Sequence, residues 1–514
     1  MIPKWAQGAV FYQIFPDRFR NGDEGNDVQT GEYTYAPVGA VEHISDWNEP
    51  LKSPDIHRFY GGDLEGVREQ FGYLRELGID AILFNPIFVS PSNHKYDTED
   101  YDNIDPHLAS SAFDGEKNLS ANEYFAKFVA CAHECGIRVI LDGVFNHCGA
   151  TCKWLTDPDK QNYFAKKPDG SYEYWWNVRT LPKLNYDECE ELWDEIIRVG
   201  RKWVSPPYNC DGWRLDVAPE LAHTEKTNHL FWERFTKEVK EANPEAFIFA
   251  EIYDDPEPWL STGAWDSAMN YRGFFDPVSA FFTGMEKHSD EHTCGAGDAK
   301  LFAKSLLAGL ESFPGDGVLI AINQLDNHDH SRFLTRTGGH VGRIETEGSE
   351  GASADVNYDI LRQAVTFQMT WPGAPTLYYG DETGMCGWTD PDSRRTFPWN
   401  NRNLELEDFY KHIIRIHKES EALRCGRVSV LTAEGGVFAF ARTREDETVI
   451  TIINREENER EIKIPLAPLC VAKSATRLIK TGRGRYNVGR KKIDITDGTL
   501  TVTLPEYGSA VYLI

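Results

Sequence analysis

Several things are scarce or missing in this 514-residue chain. Basic residues are scarce: 54 Lys and Arg stand against 81 Asp and Glu, a formal net charge of −27. So acidic a surface repels phosphate backbones and anionic lipid, which argues against nucleic-acid and membrane-surface partners and does not favour an anionic substrate. The N-terminal stretch MIPKWAQGAVFYQIF has no basic start, no long apolar core and no small-residue cleavage site, so no signal peptide is visible and a cytoplasmic location is expected. No segment approaches the roughly 18 uninterrupted apolar residues that would span a bilayer. There are no internal repeats and no low-complexity linker. Ten cysteines are spread widely, and without an export signal they read as reduced thiols. Cys148 and Cys152 follow His147 and invite a zinc reading, but no second pair sits at ligand spacing.

Hydrophobic residues make up 41% of the chain and charged residues 26%, the balance of a globular protein with a real core. The 14 Trp, 22 Tyr and 28 Phe serve mostly in packing, although sugar faces also stack on such rings. Short apolar runs alternate with helical stretches over the first four-fifths. The runs are Val10–Phe15, Ala81–Pro86, Arg138–Val144, Gly212–Val217, Ala246–Ile252, Ser267–Tyr271, Leu319–Leu325 and Ala374–Tyr379. Amphipathic segments lie between several of them, such as Leu64–Leu77, Ala121–Cys135, Glu190–Val204 and Phe231–Ala242. Strand–helix alternation argues for a parallel sheet, and eight units argue for a closed (β/α)8 TIM barrel, class α/β.

Two stretches break the alternation. Asn146–Asp187, with its run SYEYWWNVRTLPKLNY, is too long for a strand–helix loop and reads as an inserted subdomain after the third strand. After about residue 420 the helices stop. Val437–Arg442, Thr448–Asn454, Glu461–Pro465 and Leu500–Leu504 then alternate with period two and Tyr507–Ile514 closes the chain, the pattern of a C-terminal antiparallel β-sandwich. The expected division is a barrel from 1–146 and 188–420, an insert at 147–187 and a sandwich at 421–514.

A barrel does its chemistry at the C-terminal ends of its strands. The third strand ends in Asp142, Asn146 and His147. On the fourth, Trp213, Leu215 and Val217 face one way while Arg214 and Asp216 face the other. The fifth is apolar until Glu251, and the seventh ends in His328 and Asp329. One strand-end carboxylate usually caps a helix or pairs on the surface. Three, with an Arg and two His on one rim, point to chemistry. Arg214 beside Asp216 would keep that carboxylate ionised, as a nucleophile requires. Glu251, near two anions and partly buried, would have its pKa raised and begin protonated. Two carboxyl groups about 5–5.5 Å apart suit retaining glycoside hydrolysis. Asp329 can hold ring hydroxyls and stabilise oxocarbenium-like charge.

DGVFNH, GWRLDV, the Glu after FIFA, and NHD followed by Arg332 resemble the four ordered motifs of the α-amylase superfamily, glycoside hydrolase family 13. QIFPDRF near the start, SPSNHKYDTEDY after the second strand and GAPTLYYGDE on the eighth agree with it. The resemblance covers about residues 8–400. It implies Asp216 as nucleophile, Glu251 as acid/base and Asp329 as transition-state stabiliser. Arg214 would orient the nucleophile, His147 and His328 would bond sugar hydroxyls, and Tyr96 would stack on the sugar in the cleaved subsite. LPKLN at 181–185 looks like the MPKLN signature of neopullulanases, cyclomaltodextrinases and maltogenic amylases. DVAPE resembles their DVANE and puts Glu220 toward the acceptor side; the other reading of Glu220 is an acid at a helix start. That group usually begins with an extra β-sandwich module that builds a dimer, and this sequence starts directly in the barrel pattern. HTEKTN before His229 looks like an insertion after the fourth strand, and Tyr253 stands where many of these enzymes carry Trp.

RNGDEGND places Asn21, Asp23, Asn26 and Asp27 within seven residues, hard oxygen ligands at a density that suits Ca2+. An Asx-rich turn bonded to its own backbone is the competing reading. The resemblance implies a structural calcium loop completed by Gly61 and Asp63 of a later GGD, remote from the chemistry. The expected activity is retaining hydrolysis of α-1,4 bonds in maltooligosaccharides and related α-glucans, with α-1,6 bonds, cyclodextrin and pullulan open as substrates. A transglycosylase or α-glucosidase on the same scaffold is the alternative. A non-catalytic barrel, like the amino-acid transporter heavy chains that resemble this family, is disfavoured because all three acids are kept and no membrane helix is visible.

Overall fold

The computed structural model describes residues 2–36, 38–466 and 472–514; Cys470 lies outside them. The eight expected parallel strands are present: β1 Phe11–Ile14, β2 Ala81–Phe84, β3 Arg138–Gly143, β4 Gly212–Leu215, β5 Phe247–Ala250, β6 Ser267–Ala268, β7 Ile322–Gln324 and β8 Ala374–Tyr378. With helices between them they make the (β/α)8 architecture. Every residue of these strands is buried except Arg138, which begins β3, as helices over a parallel sheet require.

The chain forms two compact units, one chiefly Phe11–Met269 and the other chiefly Asn270–Arg394 with Pro398–Ile514. This grouping differs from the three expected segments, because residues from Asn270 onward pack with the C-terminal part. In the first unit β1 to β6 lie side by side in the order β6-β5-β4-β3-β2-β1. Leu141 pairs with Trp213, and Trp213 with Ile248, so β3, β4 and β5 end level with one another. Helix Ala121–Glu134 opens with a capping box: Ser120 Oγ accepts from the Glu123 amide, and the Glu123 carboxylate accepts from the Ser120 amide. Helix Glu190–Val204 buries Leu192, Ile196, Ile197 and Trp203, a stripe at helical spacing. Trp213 donates to the Gly200 carbonyl of that helix at 3.1 Å, so its side of β4 faces the helices.

The insert Asn146–Asp187 holds 3-10 turns at Lys153–Leu155, Pro158–Tyr163 and Trp175–Asn177. Isolated bridges join His147 to Lys183, Phe164 to Leu184 and Tyr174 to Pro182. Trp154, Tyr163, Phe164, Leu184 and Tyr186 are buried beneath them.

In the second unit β7 and β8 run parallel, with Ile322 opposite Ala374. The sixth expected run splits: only Ser267–Ala268 is strand, while Tyr271–Phe275 is a π-helical turn that continues into helix Asp276–Thr283. The helical region extends to Cys425, because Ser420 ends one helix and caps the next by accepting from the Leu423 amide. Eight antiparallel strands follow: β9 Arg427–Glu434, β10 Val437–Arg444, β11 Glu447–Asn454, β12 Arg460–Pro465, β13 Ser474–Gly482, β14 Arg485–Thr496, β15 Thr499–Leu504 and β16 Gly508–Leu513. Ala439 and Ala441, Ile450 and Ile452, Ile462 and Ile464, and Leu500, Val502 and Leu504 share one core, each set at period two. Opposite ends of the sheet thus supply facing layers, and the C-terminal part is a β-sandwich. Among the described residues no helix is long and apolar enough to cross a membrane.

Candidate active site

Register brings the acids of the first unit together. Arg214 leaves β4 on the face opposite Trp213. Its Nη1 donates to Asp142 Oδ1 at 2.8 Å, to Asp142 Oδ2 at 3.0 Å and to Asp216 Oδ1 at 2.7 Å. Its Nη2 lies 2.9 Å from Glu251 Oε2, near enough for an ion pair but off the line of a hydrogen bond. The carboxylates of Asp216 and Glu251 are therefore separated by no more than one guanidinium and two short contacts. All are buried: Arg214 is 1% exposed, Glu251 3% and Asp216 6%.

Glu251 Oε2 also accepts from the Val217 amide at 3.0 Å, and Tyr253 donates to Oε1 at 3.4 Å. Val217 sits at φ 36°, ψ 43°, a left-handed conformation that a β-branched residue seldom adopts. That turn aims the amide after Asp216 at Glu251. Upstream, Gly212 has φ 153°, and a Cβ there would lie 1.9 Å from the Phe247 carbonyl oxygen. Only glycine lets β4 and β5 pair in this register.

Burial pushes the Asp216 carboxyl well above its ordinary range; Arg214 pulls it down, and Glu251 and Asp142 push it up again. Arg214 stands beside Asp216 as expected, and it is shared with Asp142 and Glu251. One guanidinium faces three buried carboxylates, so its single positive charge does not offset all three as anions. Asp142, placed by sequence at the end of the third strand without a chemical role, is the third member. The signal for it was the period-two match of strand-end charges on neighbouring strands.

Tyr96 is held by its hydroxyl, which donates to Asp142 Oδ2 at 2.8 Å and accepts from Asn85 Nδ2 at 2.9 Å. Lys183, of the LPKLN stretch, donates to Asn146 Oδ1 at 2.7 Å and to the Glu220 carbonyl at 2.6 Å. An ammonium has only donors, so the Asn146 nitrogen must face His147 Nδ1, 3.1 Å away. Nδ1 is then the acceptor, and Nε2 donates to the Tyr96 carbonyl at 3.1 Å. Burial lowers the His147 pKa to about 3, in keeping with this neutral tautomer. Both ring nitrogens are engaged within the protein, so a sugar hydroxyl would have to compete with the Tyr96 carbonyl. Glu220 is exposed in the short turn Ala218–Glu220, and its carboxylate accepts from Trp175 Nε1 at 2.8 Å. Sequence reasoning left Trp175 and Lys183 without roles.

In the second unit, Asp329 follows β7. Its Oδ1 accepts from Arg394 Nη2 at 3.2 Å, and the same nitrogen lies 3.3 Å from Asp390. His328 is buried, with Nε2 3.3 Å from Asp329 Oδ2, and its carbonyl accepts from Ser393 and Arg394. Arg394 was not singled out from sequence, because nothing in its neighbourhood distinguishes it from Arg395.

The RNGDEGND loop is tied down in two ways. Asp63 caps helix Leu64–Glu69 through the Gly66 amide, and it also accepts from the amides of Gly22 and Asp23 and from Asn26 Nδ2. Asp23 Oδ1 accepts from the Gly25 amide. Asp27 Oδ1 accepts from Asn21 Nδ2 at 2.8 Å, and a Cβ on Gly61 would lie 2.3 Å from that oxygen. The side-chain oxygens of Asn21 and Asn26 are buried with no hydrogen-bond partner. Burial and the nearby acids raise Asp27 to about 6, and burial raises Asp63 to about 6. Among the described residues no three His, Cys, Asp or Glu side chains are grouped to hold a metal, so Asp23, Asp27 and Asp63 do not form a trio. The group that suits a hard cation is Asn21, Asn26 and Asp27 beside Gly61, with Asp63 committed to N–H donors.

A sequence profile described as "Alpha amylase, catalytic domain" matches residues 13–425. The chain is 35% identical to neopullulanase 2 of Thermoactinomyces vulgaris, covering 90% of this chain and 71% of that protein. It is 34% identical to a cyclomaltodextrinase of Thermoanaerobacter pseudethanolicus, covering 90% and 72%. It is 32% identical to an amylopullulanase of Thermoanaerobacter thermohydrosulfuricus across 99% of its own length, but spans only 37% of that longer protein. Among solved structures, a debranching enzyme from Nostoc punctiforme matches with TM-score 0.79 and 30% identity over 100% of this chain and 99% of that one.

Proposed function

Because the chain belongs to the α-amylase family of glycoside hydrolases, we propose that it hydrolyses α-1,4-glucosidic bonds of maltooligosaccharides and related α-glucans with retention of configuration. The observation that carries this reading is the single guanidinium of Arg214 holding Asp142, Asp216 and Glu251 at the ends of three adjacent strands. Asp216 attacks the anomeric carbon while Glu251 gives its proton to the departing glycosidic oxygen. The bond to the leaving sugar breaks, and a glucosyl ester on Asp216 forms. Glu251 then takes a proton from water, whose oxygen attacks the same carbon and releases Asp216. The amide of Val217 and the hydroxyl of Tyr253 orient the Glu251 carboxyl for both proton transfers. Of the expected roles, Asp329, held by Arg394, keeps that of stabilising the sugar's positive charge and His328 that of bonding sugar hydroxyls, while in the first unit His147 and Tyr96 keep theirs as sugar-binding residues.

The named activities of the relatives support an α-glucan substrate, and the LPKLN stretch supports the neopullulanase-like branch. A structural calcium at Asn21, Asn26 and Asp27 with Gly61, and with Asp23 and Asp63 as outer support, belongs to the same reading; its support is the two buried, unpartnered amide oxygens. A cytoplasmic location is supported by nine described cysteines that are all free thiols. A division into barrel, insert at 147–187 and sandwich at 421–514 belongs to the same reading.

The test is hydrolysis of maltotriose, cyclodextrin, pullulan and panose, with the product anomer read by NMR immediately after cleavage. α-Anomers are expected, and Glu251→Gln should lower kcat by about 10²–10⁴-fold. Initial β-anomers, or wild-type rates in Asp216→Asn, would overturn the mechanism; products longer than the substrate would mark a transferase.

A further inference from the structure

The insert carries an aromatic feature that the catalytic reading leaves unused. The rings of His147 and Trp175 are stacked, with centroids 4.9 Å apart and planes 12° from parallel. Trp176 in turn stacks on Trp175 at 4.8 Å and 19°. The stack thus begins at buried His147, just beyond β3, and ends in an indole that is 74% exposed, the most exposed large hydrophobic side chain among the described residues. It packs on Trp175, and the rest of it is open to water.

The backbone is bent to put it there. Trp176 and Asn177 both have left-handed φ, 47° and 60°, in consecutive non-glycine positions. Such strain persists only where the surroundings impose it. Two anchors flank it here: the Trp175 indole donates to Glu220, and Lys183 donates to the Glu220 and Leu221 carbonyls and to Asn146 beside His147. The stack leads from buried His147 to the exposed Trp176 in two centroid steps of 4.9 and 4.8 Å.

We propose that Trp176 is a glucosyl-binding platform beyond the reacting centre: the exposed face of its indole takes the C–H face of a sugar unit adjoining the one that is cleaved, and Glu220 positions the stack through Trp175. An α-glucan is the fitting ligand, because each pyranose has an apolar face for the electron-rich ring and a rim of hydroxyls for water and neighbouring carboxylates. The arrangement makes this enzyme favour longer chains over short ones. The inference rests on the hydrolase reading and deepens it.

The experiment compares wild type, Trp176→Ala and Trp176→Tyr on maltooligosaccharides from maltotriose to maltoheptaose, with mass measured in solution. Trp176→Ala is expected to lower kcat/KM for the longest substrates by about tenfold, chiefly through KM, while maltotriose changes by less than about twofold. Trp176→Tyr should recover most of the loss. Glu220→Ala should reproduce part of it, and Glu220→Gln, which keeps an acceptor for Trp175, should not. Equal losses at every length would overturn the platform, as would a change in oligomeric mass on removing Trp176, which would make the indole an interface with a second copy. If wild type cleaves none of these sugars, the hydrolase reading fails instead; maltoheptaose binding to Asp216→Asn with and without Trp176, read by calorimetry, then decides the platform separately, with equal affinities overturning it.

Discussion

At the residue scale the site is a charge-accounting problem. Three carboxylates share Arg214, and burial opposes every charge that Arg214 does not cancel. His147 shows the same logic in reverse. Its depressed pKa means that the folded chain resists protonation while the unfolded chain, near 6.5, accepts it. Stability from this group is therefore fully present above 6.5 and is lost as pH falls toward 3, by up to about 1.4 kcal/mol per pH unit. Melting curves between pH 6.5 and 4 should show His147→Gln with a shallower acid slope than wild type; parallel slopes would mean that His147 does not stay neutral. Arg214, Asp216 and Glu251 were legible in sequence because strand periodicity fixes which way each side chain points. Their protonation was not, since it depends on how many carboxylates converge.

At the scale of elements, the parallel strands were legible because each is a short apolar run buried on both faces. Their ends were less so. Phe15 and Ile252 are apolar but lie beyond the paired segments, and pairing rather than hydropathy ends a strand. In the C-terminal part, β10, β11, β12, β15 and β16 matched the period-two runs, while β9, β13 and β14 had gone unread. The reason is plain in β14, where RYNVGRKKIDIT is exposed at nearly every position. Its partner β13 holds it through backbone bonds, which carry no side-chain signature. The β4–β5 pairing offers a direct test. Gly212→Ala forces a methyl against the Phe247 carbonyl, and a loss of about 3 kcal/mol or more is expected in urea unfolding. A midpoint within error of wild type would show that the strands separate there at little cost.

At the scale of the whole molecule, the calcium reading links a loop near the N-terminus to the stability of its unit. Asp63 caps a helix and gathers the Asn21–Asp27 loop, so a cation at Asn21, Asn26 and Asp27 would hold both. Calcium at a hundredfold excess over Kd should stabilise the fold by about 2.7 kcal/mol, raising Tm relative to chelator-treated protein. Asp27→Asn should abolish the difference while leaving kcat nearly unchanged. Equal melting with calcium and with chelator, and no metal in the purified protein, would remove calcium from the account.

The order of strands and helices, the acidic rim and the insert after β3 follow from the local pattern of apolar and polar residues, because each depends on neighbours a few positions apart. The joining of Asp142, Asp216 and Glu251 on one guanidinium, the tautomer of His147 and the stacking of Trp175 and Trp176 could come only from the tertiary structure. Each depends on atoms brought together from distant parts of the chain, and the energy of a buried charge or a stacked ring is set by what surrounds it in space.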